Sequence, residues 1–346
     1  MQLDYGQLGR QFVRAARGRR SQTALSRRLG FRSNVLYAWE SGRREPTAAT
    51  VLHMLEVLRV DVRARIGGFF AQAPAWLEGL DPATPAGVAA LLRELRGSIP
   101  VVELARRTTF SRYAIARWLD ARAEPHFADF LRLLDAASLR VLDFVALFQN
   151  PASLPAAAPA WRLLEAHRRA AYEEPWTVAV LRTLELAPYQ RLTAHEPGWI
   201  ARRLGISLEE EQRCLRTLEE TAQIRRRGAR YEPVQGITVD TRHDALAERR
   251  LKQSWAEIGV QRLARGAPGL FSFNVFAVSE RDLAKLEGLH RSYFRHLRAI
   301  VAASTPSERV VVANVQLFSL GTDYTQARLG VSMQENTGRQ ISPKPK

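Results

Sequence analysis

The sequence predicts a mainly α-helical chain: two tandem helix-turn-helix bundles, a winged helix-turn-helix and a small C-terminal α/β unit. Three observations carry that prediction. Apolar residues recur at helical spacing through the first half. One stretch occurs twice without a gap, as SQTALSRRLGFRSNVLYAWESGRREP from Ser21 to Pro46 and as PVVELARRTTFSRYAIARWLDARAEP from Pro100 to Pro125, an offset of 79. Two stretches of the last third, GLFSFNVFAVS and RVVVANVQLFSL, are rich in Val and Phe. The expected domains are 1–70, 85–150, 160–236 and 237–320, followed by a disordered basic tail over 321–346. Clusters of Pro and Ala at 71–87 and 150–160 read as linkers between them.

The first copy of the repeat has the residues of a DNA reader. Gln22 to Leu29 forms one helix, Gly30 turns the chain, and Ser33 to Ser41 forms a second. The turn calls for a positive φ, which glycine adopts at least cost. Leu25, Leu29, Phe31, Leu36 and Trp39 are spaced to fill the core between the helices. Arg32, Ser33, Asn34, Tyr37 and Ala38 are left on the outer face. A helix fits the major groove of B-DNA, and residues near its N-terminus reach base edges. Asn34 suits a two-atom bond to adenine, and Arg32 suits guanine or phosphate. Gln22 opens the first helix, where side chain and backbone N–H groups can bind phosphate. Arg43 and Arg44 follow the second helix, and Arg14, Arg17, Arg19 and Arg20 precede the motif. The pattern of Ser21-Gln22, Leu25, Gly30, Glu40, Gly42 and Pro46 resembles the Xre/Cro/phage-repressor helix-turn-helix over roughly residues 9–66. The resemblance implies that Gln22 touches phosphate and that Ser33, Asn34 and Ala38 face bases.

The second copy keeps the apolar residues and changes the polar ones. Leu104, Phe110, Trp118, Leu131 and Leu134 stand where the first copy has Leu25, Phe31, Trp39, Leu52 and Leu55. Gln22 becomes Val101, Gly30 becomes Thr109, and Glu40 becomes Leu119. Net charge falls from +8 over residues 1–70 to zero over 71–150. An uncharged module gains little from counterion release. The second copy therefore reads as a retained scaffold, with Arg112, Tyr113 and Arg117 as secondary DNA contacts.

Residues 176–234 read as three helices and a short basic hairpin turning at Gly228, with Ser207 and Glu210 as a capping box. Three carboxylates, Glu209 to Glu211, open its third helix and oppose entry into a groove. The wing offers Arg225, Arg226, Arg227 and Arg230 to phosphate, so this unit reads as a protein contact or as one that touches DNA by its wing alone. Over 237–320 the expected order is helix, strand, helix, strand, with Phe271, Phe273, Phe276, Trp255, Tyr293 and Phe294 in a core. Residues 160–320 resemble a poorly characterised bacterial regulator family, whose members join a helix-turn-helix to a region of unknown function. That resemblance implies transcriptional regulation and supplies no ligand.

Composition narrows the function further. The net charge of +16 favours an anionic partner, double-stranded DNA above all. Cys214 is the only cysteine, so no intrachain disulfide forms, which suits a cytoplasmic protein. No apolar run reaches membrane-spanning length. The seven histidines form no metal-ligand pattern, and neither a phosphate-binding glycine loop nor a nucleophile elbow is present. The expectation is a sequence-specific DNA-binding transcriptional regulator, not an enzyme, without cofactor or metal. It would act as a homodimer and respond to a protein or small-molecule signal. The alternative is a scaffold that regulates through another protein and has only nonspecific DNA affinity.

Overall fold

The computed structural model describes residues 3–70, 73–234 and 245–320, so the expected basic tail lies outside the described residues. Two compact units are distinguished: one runs to Ile258 and includes Pro306–Val310, and the other comprises Gly259–Thr305 and the chain from Val311. Mainly helical structure is confirmed, with one two-stranded sheet among the described residues.

The first unit begins with α1 (Tyr5–Arg17), α2 (Gln22–Arg28), α3 (Val35–Glu40), α4 (Ala48–Val57) and α5 (Val62–Phe69). Each starts at a side-chain cap: Asp4, Ser21, Asn34, Thr47 and Asp61 accept from the backbone N–H three residues on. A short α6 (Trp76–Gly79) follows, then α7 (Pro85–Arg96), α8 (Val101–Arg107), α9 (Arg112–Leu119), α10 (Phe127–Ser138) and α11 (Val141–Ala146). The starts of α8, α10 and α11 lie 79 residues after those of α2, α4 and α5. Leu139 ends α10 in the left-handed region and is exposed.

These helices share one apolar core that runs from Leu8 to Leu164. Its centre is aromatic: Phe12 lies 5.1 Å from Phe127, and Phe130 lies 5.4 Å from Phe144, ring centre to ring centre. Helix α1 lies against α10, and α7 lies against α4, so each set of helices completes the other. Where α4 and α10 begin, Thr47 and His126 form an antiparallel bridge. Ala48 N–H donates to the Pro125 carbonyl at 3.0 Å, and Phe127 N–H donates to the Pro46 carbonyl at 2.8 Å. Each of these bonds becomes the other under the offset of 79, which is the mark of a local two-fold axis through the bridge.

The expected linkers are not loose. Leu77 and Ala83 are buried, and a side chain at Gly87 would strike the Asp81 carbonyl. At the second cluster a 3₁₀ turn (Pro151–Ser153) leads into α12 (Ala158–Glu173), and Leu154, Ala157, Ala160, Trp161 and Leu164 join the core. Alanine and proline here are small residues fitted to close packing, and composition alone does not separate that from a linker. Buried Arg168 on α12 pairs with Asp143 on α11 at 2.5 Å.

A second core is formed by α13 (Trp176–Leu184), α14 (Ala187–Gln190), α15 (Trp199–Leu204), α16 (Leu208–Glu220) and the hairpin of β1 (Ile224–Arg227) and β2 (Arg230–Pro233). The strands are antiparallel, with Ile224 opposite Pro233 and Arg227 opposite Arg230. Trp255, on α17 (Ala245–Ala264), lies 5.6 Å from Trp176 in an edge-to-face contact.

The C-terminal unit corrects the expected α/β arrangement. It holds the end of α17 and α18 (Glu280–Ala303), and the stretches 270–279 and 308–319 form no strand. Phe271, Phe273 and Phe276 are exposed rather than in a core, and Tyr293 is also exposed. Val and Phe favour a strand only where a neighbour supplies the hydrogen-bond ladder and a face to cover.

Because Phe127 is buried between the two sets of helices, Phe127→Ala should cost about 3–5 kcal/mol. Thermal unfolding followed by circular dichroism would show the loss over the whole of residues 3–164, not the second set of helices alone.

Candidate nucleic-acid interface

The turn between α2 and α3 is built as the sequence implies. Gly30 has φ +84°, and Phe31 N–H donates to the Ser26 carbonyl at 3.0 Å. Leu25, Leu36 and Trp39 are buried, Leu29 is half-buried, and Phe31 is partly exposed with its ring 5.7 Å from that of Trp39. Helix α3 starts at Val35, two residues later than expected, because Asn34 is its cap.

That cap changes what Asn34 can offer. Its Oδ1 accepts from Tyr37 N–H at 3.3 Å and from the Ser26 hydroxyl at 3.4 Å. The carbonyl half of a two-atom grip on adenine is therefore engaged within the fold, and Nδ2 makes no hydrogen bond among the described residues. Arg32 and Ser33 are exposed at the N-terminal end of α3, Tyr37 is exposed along it, and Ala38 is half-buried. Arg43 stacks over Tyr37 at 5.2 Å, which places a cation beside the helix. Arg19, Arg20 and Arg44 are exposed around the same motif.

Glu40 organises the back of this surface. Arg17 Nε and Nη2 donate to its two oxygens at 2.6 and 3.0 Å, and Gln22 Nε2 donates to Oε2 at 2.7 Å. Arg17 is thus committed to a bond within the fold rather than to the exposed basic run. Gln22 is turned inward at the same time, with its backbone N–H at the free end of α2. From sequence Glu40 is only a position in a pattern; its spacing of 23 residues from Arg17 carries no local signal.

The second copy lacks this network. Val101 and Leu119 replace Gln22 and Glu40, and Nε of Arg96, the counterpart of Arg17, is buried without a hydrogen-bond partner among the described residues. Its turn leaves α8 through Thr108 in extended backbone, and Thr109, in the place of Gly30, has no positive φ. Helix α9 starts earlier, capped by Ser111, and presents Arg112, Tyr113 and Arg117 to solvent. Arg112 lies over the Tyr113 ring at 4.9 Å, and neither Arg112 nor Arg117 has an ion pair among the described residues.

In the third helical group the acidic run on α16 is partly structural. Glu211 is fully buried and accepts from the N–H groups of Gly198 and Ala201, at the start of α15. It holds that helix in place, so it does not repel phosphate from a surface as its position in the sequence suggests. Beside it, His195 lies 3.5 Å from Glu211; burial holds the imidazole below its ordinary range, and Glu211 opposes that shift. Ser207 caps α16 by accepting from Glu210 N–H at 3.0 Å, while the Glu210 carboxylate pairs with Arg213 at 2.7 Å. Arg225, Arg226 and Arg227 are exposed on the hairpin. Glu232 lies within 4 Å of Arg225, Arg227 and Arg230, and Arg226 donates to the Tyr231 hydroxyl at 2.9 Å. Burial pushes the thiol of Cys214, on the inner face of α16, up to about 12.

Comparison with known families agrees with the N-terminal geometry. Residues 13–64 match a family described as helix-turn-helix, and this segment is a helix-turn-helix of the Xre-like kind. Residues 156–320 match a domain of unknown function, DUF4423. The first match suggests a DNA-binding regulator. No curated protein and no solved structure matches the chain. Among the described residues no helix is long and apolar enough to cross a membrane.

Replacing Glu40 by Ala leaves Arg17, only partly exposed, without its carboxylate. The expected loss of stability is about 2–3 kcal/mol, read as a lower midpoint in urea unfolding. Gln22→Ala, which removes only one neutral donor, should cost about 1 kcal/mol.

Proposed function

We propose that the chain is a transcriptional regulator that binds a specific double-stranded DNA sequence through α3, inserted in the major groove. The observation that carries this reading is the exposed N-terminal end of α3, with Arg32, Ser33 and Asn34, on an Xre-like helix-turn-helix in the most basic quarter of the chain. Arg32 and Ser33 address base edges. Arg19, Arg20, Arg43 and Arg44 hold flanking phosphates, together with the backbone N–H groups at the start of α2. Asn34 acts through Nδ2 alone or by giving up its cap.

Helices α8 and α9 constitute a second, altered helix-turn-helix, and residues 176–234 a winged helix in which the arginines of the hairpin approach the backbone. No catalytic step is assigned to the chain. The alternative role, contact with a regulatory protein, fits the C-terminal unit, where Leu270, Phe273 and Val275 are strongly exposed. It complements DNA binding rather than replacing it.

The test is a gel-shift titration of Arg32→Ala/Ser33→Ala on the chain's preferred duplex and on a scrambled one. The expected loss is about 10- to 100-fold on the preferred duplex, with little change on the scrambled one. Both positions are exposed, so the variant should unfold at the wild-type temperature. Equal losses on both duplexes would make Arg32 a phosphate contact and remove base reading from α3.

A further inference from the structure

The two helix-turn-helix copies are joined about a local two-fold axis. Thr47 faces His126 across the bridge, and the bonds Ala48 to Pro125 and Phe127 to Pro46 are the same bond seen from the two sides. The pairing extends outward from the bridge, since α1 against α10 repeats α7 against α4. A symmetric dimer of a DNA reader makes this kind of contact between two chains; here both halves belong to one.

The distances this allows are limited by the chain itself. The C-caps of α3 and α9, Ser41 and Asp120, each stand six residues before the bridge. Six residues span at most about 22 Å, so the two helix ends lie within about 45–50 Å of each other. Successive major-groove faces on one side of B-DNA are about 34–36 Å apart, which falls inside that reach. A two-fold axis also gives both helices the same attitude, matching the dyad of a duplex.

The two faces differ in chemistry. Where α3 has Ser33 and Ala38, α9 has Arg112 and Arg117, both exposed and without ion pairs among the described residues. Without the bracing that Glu40 gives the first copy, these guanidinium groups are not held to one base edge, which suits phosphate oxygens.

We infer that one chain holds one duplex with two unequal heads: α3 reads bases in one half-site, and α9 grips the phosphates of the neighbouring half-site through Arg112 and Arg117. This inference rests on the DNA-binding reading above. It replaces the two-chain dimer expected from the sequence with a dimer-like pair inside a single chain, and its operator is asymmetric in sequence information.

The experiment uses the full chain and a duplex enriched by it from a random-sequence pool. Binding stoichiometry, hydroxyl-radical footprints and the salt dependence of affinity are measured for the wild type and for Arg112→Ala/Arg117→Ala. The expected result is one chain per duplex, with two clusters of protected sugars about 10 base pairs apart. The double substitution should erase one cluster and keep the enriched sequence preference. It should also make the slope of log affinity against log salt shallower by about two. An unchanged slope, or a single cluster at one chain per duplex, would overturn the inference and leave sequence-specific binding standing. Two chains on two identical clusters would overturn it as well. Failure to enrich any sequence would remove the DNA-reading function and the inference with it. Because both arginines are exposed, an unaltered melting temperature separates lost contact from lost fold.

Discussion

The seam at Thr47 and His126 is the constraint on which the first half of the molecule depends. Proline precedes each of these residues, so the carbonyls of Pro46 and Pro125 are presented by backbone that cannot continue the preceding helix. Each carbonyl then accepts from the first residue of the opposite helix, Phe127 or Ala48. The bonds satisfy N–H groups that a helix start leaves without intrahelical partners. Immediately behind them, Phe127 meets Phe12 and Phe130, and the helices of one copy close the core of the other. Separation of the copies would expose that aromatic surface to water, which is why the fold cannot be read as two beads on a string.

Divergence between the copies follows from the same arrangement. Positions that face the common core stay apolar in both. The polar positions behind α3 do not. In the first copy Glu40 ties Arg17 and Gln22 together, fixing α1, α2 and α3 as one surface. The second copy has the cation without the anion, and its turn has Thr109, without a positive φ, where the first copy has Gly30. A surface that must present particular atoms to base edges needs that rigidity. A surface that offers positive charge to a backbone needs only exposed guanidinium groups.

Much of the N-terminal half was legible because local rules decide it. Gly30 adopts the positive φ that its place in the turn demands, Ser207 caps its helix, and Leu25, Leu36 and Trp39 are buried as their spacing requires. The repeat itself announced the paired helices. What escaped was set by partners distant in sequence. Asn34 is a favoured cap for the Tyr37 N–H, but nothing near it shows that the Ser26 hydroxyl will also donate to its oxygen. Nothing near Glu211 shows that the start of α15 will bury it. The alanine-rich stretches read as linkers because their composition is the same whether they pack or not. The Val- and Phe-rich stretches of the last third read as strands because propensity describes the residue and not its neighbour; without a ladder they form no strand, and most of their residues are exposed.

One rigid pair about the seam is what the shared core requires of the two copies of the repeat. Thr23 and Val102 are equivalent positions on α2 and α8, and both are exposed. Cys214 is buried with a thiol raised to about 12, so it stays unlabelled when cysteines are placed at those two sites. Spin labels on Thr23→Cys/Val102→Cys report their separation by pulsed electron paramagnetic resonance. A single narrow distance distribution, the same with and without DNA, is the expected result. A broad distribution, as from two independently tethered bundles, would contradict the rigid pair.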